Sequence, residues 1–237
     1  MFNIHPSWES FFQQPIIQKE LNHIFSVLDH TDYFPSKKNI FRFAQTDRSN
    51  VKVILVGMEP YPSTYEKDGK IFPVATGRSF EIANVDDWKQ KFKQSSLRNI
   101  LKTIYYNETG MILPLDSIRK LIQNGNFPIL PPHDWFSNLE DQGVLFLNAS
   151  LTVKPYVVKS HTALWEVFMK ELVKELDQEG ITWLLWGKDA QSRILPELKH
   201  SQAILSCHPR LAEFVFENCF ANIPLDWKGG VKIDGNS

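Results

Sequence analysis

Apolar residues along this chain cluster in two ways, and the alternation between them predicts the architecture. Short, nearly continuous apolar runs at 51–56, 144–147, 181–186 and 203–207 have the pattern of strands buried on both faces. Each run stops abruptly, at Gly57, Asn148, Gly187 and His208 respectively. Between them the apolar spacing is helical. Residues 7–12 and 16–28 predict one or two amino-terminal helices, with Ile17, Leu21, Ile24, Phe25 and Leu28 as the inward positions. A short helical turn follows at 39–44. Residues 95–104 open with serines able to cap and place Leu97, Ile100, Leu101 and Ile104 on one face. Further helices are predicted at 116–124, at 162–176 with Leu164, Trp165, Phe168, Leu172 and Leu176, and at 188–198. Residues 66–69 and 73–77 read as a long loop, 78–82 as a short extended segment, and 127–132 as a proline-rich connection. Strand, helix, strand, helix, strand in this order predicts an α/β fold with a mostly parallel sheet.

With 237 residues and no Gly/Ser linker, repeat or low-complexity run, the expectation is a single domain over 1–237. The formal net charge of −1 supplies no global attraction to nucleic acid, so such a partner has to be met by local charge. Cys207 and Cys219 lack CxxC spacing, which argues against a disulfide framework, an iron–sulfur cluster or a structural zinc site and for a reduced, intracellular (cytoplasmic) setting. No basic region followed by an apolar stretch opens the chain, and no apolar run is long enough to cross a bilayer, so no membrane is expected. The aromatic share, 13% with seven Trp, is high; most of these rings are expected in the core and some on stacking surfaces.

Three strand ends each present one residue able to do chemistry: Glu59, Asn148 and His208. Singly, each has an ordinary explanation, as a surface carboxylate, a turn former and a loop histidine before proline. Together they supply a carboxylate that stabilises a cation, an amide that reads a polar edge, and an imidazole that stabilises an anion. Cleavage that expels a charged leaving group needs all three. In open α/β sheets ligands bind beyond the carboxyl ends of the strands, where all three stand.

The motifs around these residues resemble the family 1 uracil-DNA glycosylases. The resemblance runs from about Tyr33 to Trp227. It includes Phe34-Pro-Ser-Lys-Lys-Asn-Ile-Phe-Arg-Phe43, Gly57-Met-Glu-Pro-Tyr-Pro62 where the family has G-Q-D-P-Y-H, Arg78-Ser-Phe-Glu-Ile82, and Ser95-Ser-Leu97. It continues through Gln142-Gly-Val-Leu-Phe-Leu-Asn-Ala-Ser-Leu-Thr-Val153, Ser160-His161, Leu184-Leu-Trp-Gly187, His208-Pro209 and Pro224-Leu-Asp-Trp227. It implies a three-layer α/β/α fold around a mostly parallel four-stranded sheet, and a monomeric hydrolase needing no cofactor or metal. The substrate is a base flipped out of single- or double-stranded DNA. Phe80 would stack on that base, Asn148 would pair with its O4 and N3 edge, and Tyr61, with Met58 nearby, would exclude a 5-methyl group. His208 would donate to O2, and Glu59 would stabilise the sugar cation and position water. Ser95, Ser96, Ser160 and His161 would hold phosphates, beside Arg210. Leu211 would be a wedge entering the vacated stack, its alternative being plain core packing. A protein inhibitor or a replication protein is a further possible partner by the same resemblance.

The departures cluster at the chemistry. Glu59 replaces Asp, Met58 replaces Gln, and Pro62 stands where most members have His. Eighteen residues separate Tyr61 from Phe80, more than the usual pattern has. After His208-Pro209 the chain reads Arg-Leu-Ala, which brings the wedge one residue earlier. Three readings therefore stand: a uracil glycosylase, a glycosylase for a modified pyrimidine such as one in phage DNA, and a binding module for DNA or a replication protein. For either DNA-directed reading the local charge is expected from Lys154, Lys159, Lys188 and Arg210.

Overall fold

The structure is a computed structural model that describes residues 2–217, 219–220 and 222–230. In chain order it contains helices α1 (Glu9–Phe12) and α2 (Pro15–Leu28), strands β1 (Val53–Gly57), β2 (Thr64–Lys67) and β3 (Lys70–Pro73), and helices α3 (Ser95–Thr109), α4 (Leu115–Gln123) and α5 (Pro132–Asp141). Strand β4 (Val144–Asn148), α6 (Glu166–Leu176), β5 (Thr182–Trp186), α7 (Lys188–Ile194) and β6 (Gln202–Ser206) follow. Contacts divide the chain into two compact units: residues up to Asn84 together with Gly143–Leu205, and Val85–Gln142 together with residues from Ser206 on. Each unit combines two separated stretches of chain, so no change of composition along the sequence marks the division.

The first unit is built on a four-stranded sheet in the order β4-β1-β5-β6, with β1 parallel to both β4 and β5. Every residue of β1 and β4 is buried, as continuous apolar runs require of strands covered on both faces. Ile54, Val56, Leu145, Leu147, Trp183 and Leu185 alternate onto one face and share a core with α1, α2, α6 and α7. Phe41 lies at the centre of that core, meeting Phe12, Phe43 and Trp165 edge-on with ring centroids 5.1–6.3 Å apart. All seven Trp side chains are fully buried, so the exposed aromatics are phenylalanines and tyrosines.

The second unit packs α3, α4 and α5 with the carboxyl-terminal segment. The Trp88 indole donates to the carbonyl of Leu130 at 2.6 Å, and that of Trp135 to Trp227 at 2.7 Å. Each ring thereby satisfies its polar atom while it fills the interior.

Several elements differ from the sequence expectation. Residues 64–73 form the β2–β3 hairpin rather than a loop, because Asp68 (φ 53°) and Gly69 (φ 71°) make the two-residue turn that joins antiparallel strands. Residues 78–82 are not extended. They form bends, with Phe80 at φ 64° and one antiparallel bridge between Ile82 and Ala75. The serines at the start of α3 lie inside its first turn, and Gln94 stands at the cap with no side-chain hydrogen bond. Helix α5 has no counterpart in the expectation, since its leading prolines hide a start that proline at the first helical position permits. Helix α6 begins only at Glu166 after a series of turns, and α7 gives way at Leu195 to a 3-10 turn carrying Pro196.

Candidate active site

In the first unit the site grows from the paired ends of β1 and β4. Gly57 lies opposite Asn148, and the ladder runs on past both strands: Ala149 N–H donates to the Gly57 carbonyl at 2.8 Å and Ser150 N–H to Met58 at 3.0 Å. The Asn148 amide consequently rests on Gly57, where a Cβ would stand 2.7 Å from its Oδ1, 2.9 Å from Ser79 Cβ and 3.6 Å from the Phe80 ring. Asn148 is 2% exposed, and its Nδ2 has no hydrogen-bond partner among the described residues. An orphaned buried amide donor costs about 1–3 kcal/mol, which a ligand's acceptor would offset.

Phe80 is held beside this amide. A buried ion pair between Arg78 and Glu81, 2.8 Å long, brackets it, and the Ser79 hydroxyl donates to the Leu55 carbonyl at 3.0 Å. These anchors keep a bulky residue at positive φ at a cost of about 1–3 kcal/mol. The Phe80 ring centroid lies 5.3 Å from that of Trp186 at an interplanar angle of 50°.

Glu59 lies two residues beyond Gly57, half-buried. Both of its carboxylate oxygens accept the Lys159 N–H, at 3.0 and 2.8 Å. The longer side chain is thereby anchored on a loop 100 residues away in sequence. Burial raises the Glu59 pKa above the ordinary glutamate value, against the opposing Lys159 N–H bonds and the Lys159 and Arg193 charges; Asp189 adds to the rise. Lys159 itself stands at φ 59°, with its ammonium 3.0 Å from the Asp189 carboxylate. Part of the basic charge expected there is thus compensated. Met58 and Tyr61 are half-buried on either side of Glu59.

Ser160 and His161 do not behave as a pair. The Ser160 hydroxyl accepts the Lys154 N–H at 2.8 Å and is half-buried. His161 points inward, 3% exposed, with Nδ1 2.9 Å from the Thr152 hydroxyl, which also accepts the Trp165 indole N–H at 2.7 Å. Burial, then the nearby Lys154 charge, holds its pKa below the ordinary histidine value. Its Nδ1 is thus engaged internally, while Nε2 is buried with no hydrogen-bond partner among the described residues.

The second unit carries the remaining candidates. His208 Nδ1 accepts the Arg210 N–H at 3.1 Å, which places the ring's N–H donor at Nε2. Leu211 N–H closes the turn onto the His208 carbonyl at 2.9 Å. The Leu211 side chain is 44% exposed, which rules out the core-packing alternative. Arg210 is exposed, Ser95 half-buried and Ser96 buried in the first turn of α3. The sequence reading missed Asn99. From α3 its Nδ2 donates to the carbonyls of Pro209 at 2.7 Å and Leu211 at 3.0 Å, clamping the loop that bears His208. Its position on the apolar face of a predicted helix was the available signal. Burial and Glu217 push the thiol of Cys207, beside His208, up to about 11, which disfavours the thiolate. Among the described residues no three His, Cys, Asp or Glu side chains are grouped to hold a metal, and no helix is long and apolar enough to cross a membrane.

No protein-family model matches the chain. A uracil-DNA glycosylase of Lachnoclostridium phytofermentans is 30% identical over 187 residues, which is 77% of this chain and 70% of that protein. The chain belongs to the uracil-DNA glycosylase family. Another member, the uracil-DNA glycosylase of equine herpesvirus 1 (strain Ab4p), is 27% identical over 92% of this chain, and the match spans 63% of that longer relative. In three dimensions the UNG of Nitratifractor salsuginis superposes with a TM-score of 0.69 at 21% identity, covering 92% of this chain and 88% of that one. The α/β sheet is thus the glycosylase fold.

Proposed function

We propose that this chain is a monofunctional DNA glycosylase that hydrolyses the N-glycosidic bond of a flipped-out uracil and leaves an abasic site. The observation that carries the reading is the buried Asn148 amide with its unpartnered Nδ2. An amide donates to the O4 of uracil and accepts from its N3–H, whereas cytosine presents the reverse pattern. Phe80, held at positive φ, offers a ring for the base to stack on. As the bond breaks, its electron pair leaves with the base, and His208 Nε2–H stabilises the anion at O2. The Glu59 carboxylate stabilises the oxocarbenium-like sugar and orients the water that adds at C1′, with the raised pKa making it the stronger base. Tyr61 excludes a 5-methyl group, and Ser95, Ser160 and Arg210 contact the backbone. Family membership favours uracil over a modified pyrimidine and excision over binding alone.

The test is incubation with end-labelled oligonucleotides containing one uracil, followed by alkali. Cleavage at uracil is expected from the native chain and loss of most of it from Asn148→Ala and from His208→Ala, both folded by circular dichroism. Full activity in both variants overturns the mechanism, and cleavage confined to DNA bearing modified pyrimidines overturns the substrate.

A further inference from the structure

The β2–β3 hairpin lies in the stretch that separates Tyr61 from Phe80, and the proposed mechanism makes no use of it. Its register pairs Tyr65 with Phe72 and Lys67 with Lys70. Opposed residues in an antiparallel pair share a face, and alternate residues return to it. One face therefore carries Tyr65, Lys67, Lys70 and Phe72, while Thr64, Glu66, Ile71 and Pro73 occupy the other. The two rings lie 5.8 Å apart at 31°, and with both lysines and Asp68 of the turn they line one shallow concavity. Phe72 is 39% exposed and both lysines are exposed. The hairpin is a two-stranded sheet of its own. Exposed lysines also guard sheet edges against unwanted pairing, but that role does not require two aromatic rings left in water beside them.

We propose that this face binds single-stranded DNA, with unpaired bases stacking on Tyr65 and Phe72 and phosphates meeting Lys67 and Lys70. Charge selects this occupant. The acidic Glu66 is turned to the opposite face, so in the concavity two ammonium groups outnumber the one Asp68 carboxylate, and rings beside net positive charge hold single strands without reading sequence. The thymine or cytosine rings of unpaired nucleotides supply the stacking surface and their phosphates the counter-charge. The proposal deepens the glycosylase reading and rests on it in taking DNA as the ligand.

The probe is a fluorescein-labelled oligothymidylate about twenty nucleotides long, free of uracil, titrated by fluorescence anisotropy with the full chain. Phe72→Ala is expected to raise Kd about tenfold. K67E/K70E is expected to weaken binding too and to lower the salt slope by about 1.4, the share of two phosphate contacts on a single strand. Ile71→Ser, on the opposite face, is expected to bind as the native chain does. Native affinity in both Phe72→Ala and K67E/K70E overturns the proposal, as does equal weakening by Ile71→Ser. Face-dependent binding by a chain that leaves uracil untouched sinks the glycosylase reading and keeps this one.

Discussion

Gly57→Ala is the substitution whose consequence the structure sizes most directly. The new methyl would stand 2.7 Å from Asn148 Oδ1 and 2.9 Å from Ser79 Cβ, where ordinary contact begins at 3.4 Å. Asn148 must retreat by about 0.7 Å and Ser79 by about 0.5 Å. Asn148 Oδ1 ends a short side chain whose backbone the β1–β4 ladder fixes, and Ser79 is tied to the Leu55 carbonyl. The strain therefore falls on the amide proposed to read the base. A misplacement near 1 Å costs about a hundredfold in rate, so kcat/KM for uracil excision is expected to fall by on the order of 10- to 100-fold. Overpacking costs about 1–3 kcal/mol, which in a chain of this size lowers Tm by roughly 2–12 °C. The assay is kcat/KM on a single-stranded uracil oligonucleotide well below Tm, with thermal unfolding in parallel. Native kcat/KM with native Tm would refute the argument, because the methyl would then have found space the packing denies it. A lowered Tm with native kcat/KM would show that the strain relaxes away from Asn148.

Glu59 sets a pH dependence. Its carboxyl is raised chiefly by burial, so the acid limb of kcat/KM is expected above the ordinary glutamate range and absent from the residual activity of Glu59→Gln. For stability the folded state favours the protonated form. That contribution is complete below the unfolded pKa and lost as pH rises through the folded one, so Glu59→Gln should unfold at higher denaturant than the native chain at neutral pH, with the gap closing in acid. Asn99→Ala frees the carbonyls of Pro209 and Leu211 and is expected to lower kcat more than it raises KM, with Asn99→Asp failing to restore it for want of the amide donor; native kcat would remove Asn99 from the positioning of His208. Tyr61→Ala is expected to admit thymine, read as alkali-labile cleavage at thymine in a DNA duplex, and an unchanged substrate range would place the 5-position against another group.

Local pattern carried a large part of this protein. Continuous apolar runs report strands buried on both faces because burial of both alternating faces leaves no polar position, and β1, β4 and β5 lie within a residue or two of those runs. A strand's end is also local, which is why Glu59, Asn148 and His208 could be picked out from the residues that stop each run. The Asp68-Gly69 turn was equally legible as a hairpin signal, yet the polar residues around it carry no inward face, and the alternation reads as loop. What tertiary structure alone decided are contacts between residues far apart in sequence. The grip of Lys159 on Glu59, the clamp of Asn99 on the His208 loop, and the inward turn of His161 onto Thr152 and Trp165 follow from where separate elements pack. The positive φ of Phe80 belongs with them, since neither its own preference nor its neighbours' favours that conformation, and anchors at Ser79, Arg78 and Glu81 hold it there. Sequence determined which groups end the strands, because periodicity is a property of neighbouring residues. Their protonation, reach and orientation waited on the fold, because burial and hydrogen bonding are properties of what the chain brings alongside.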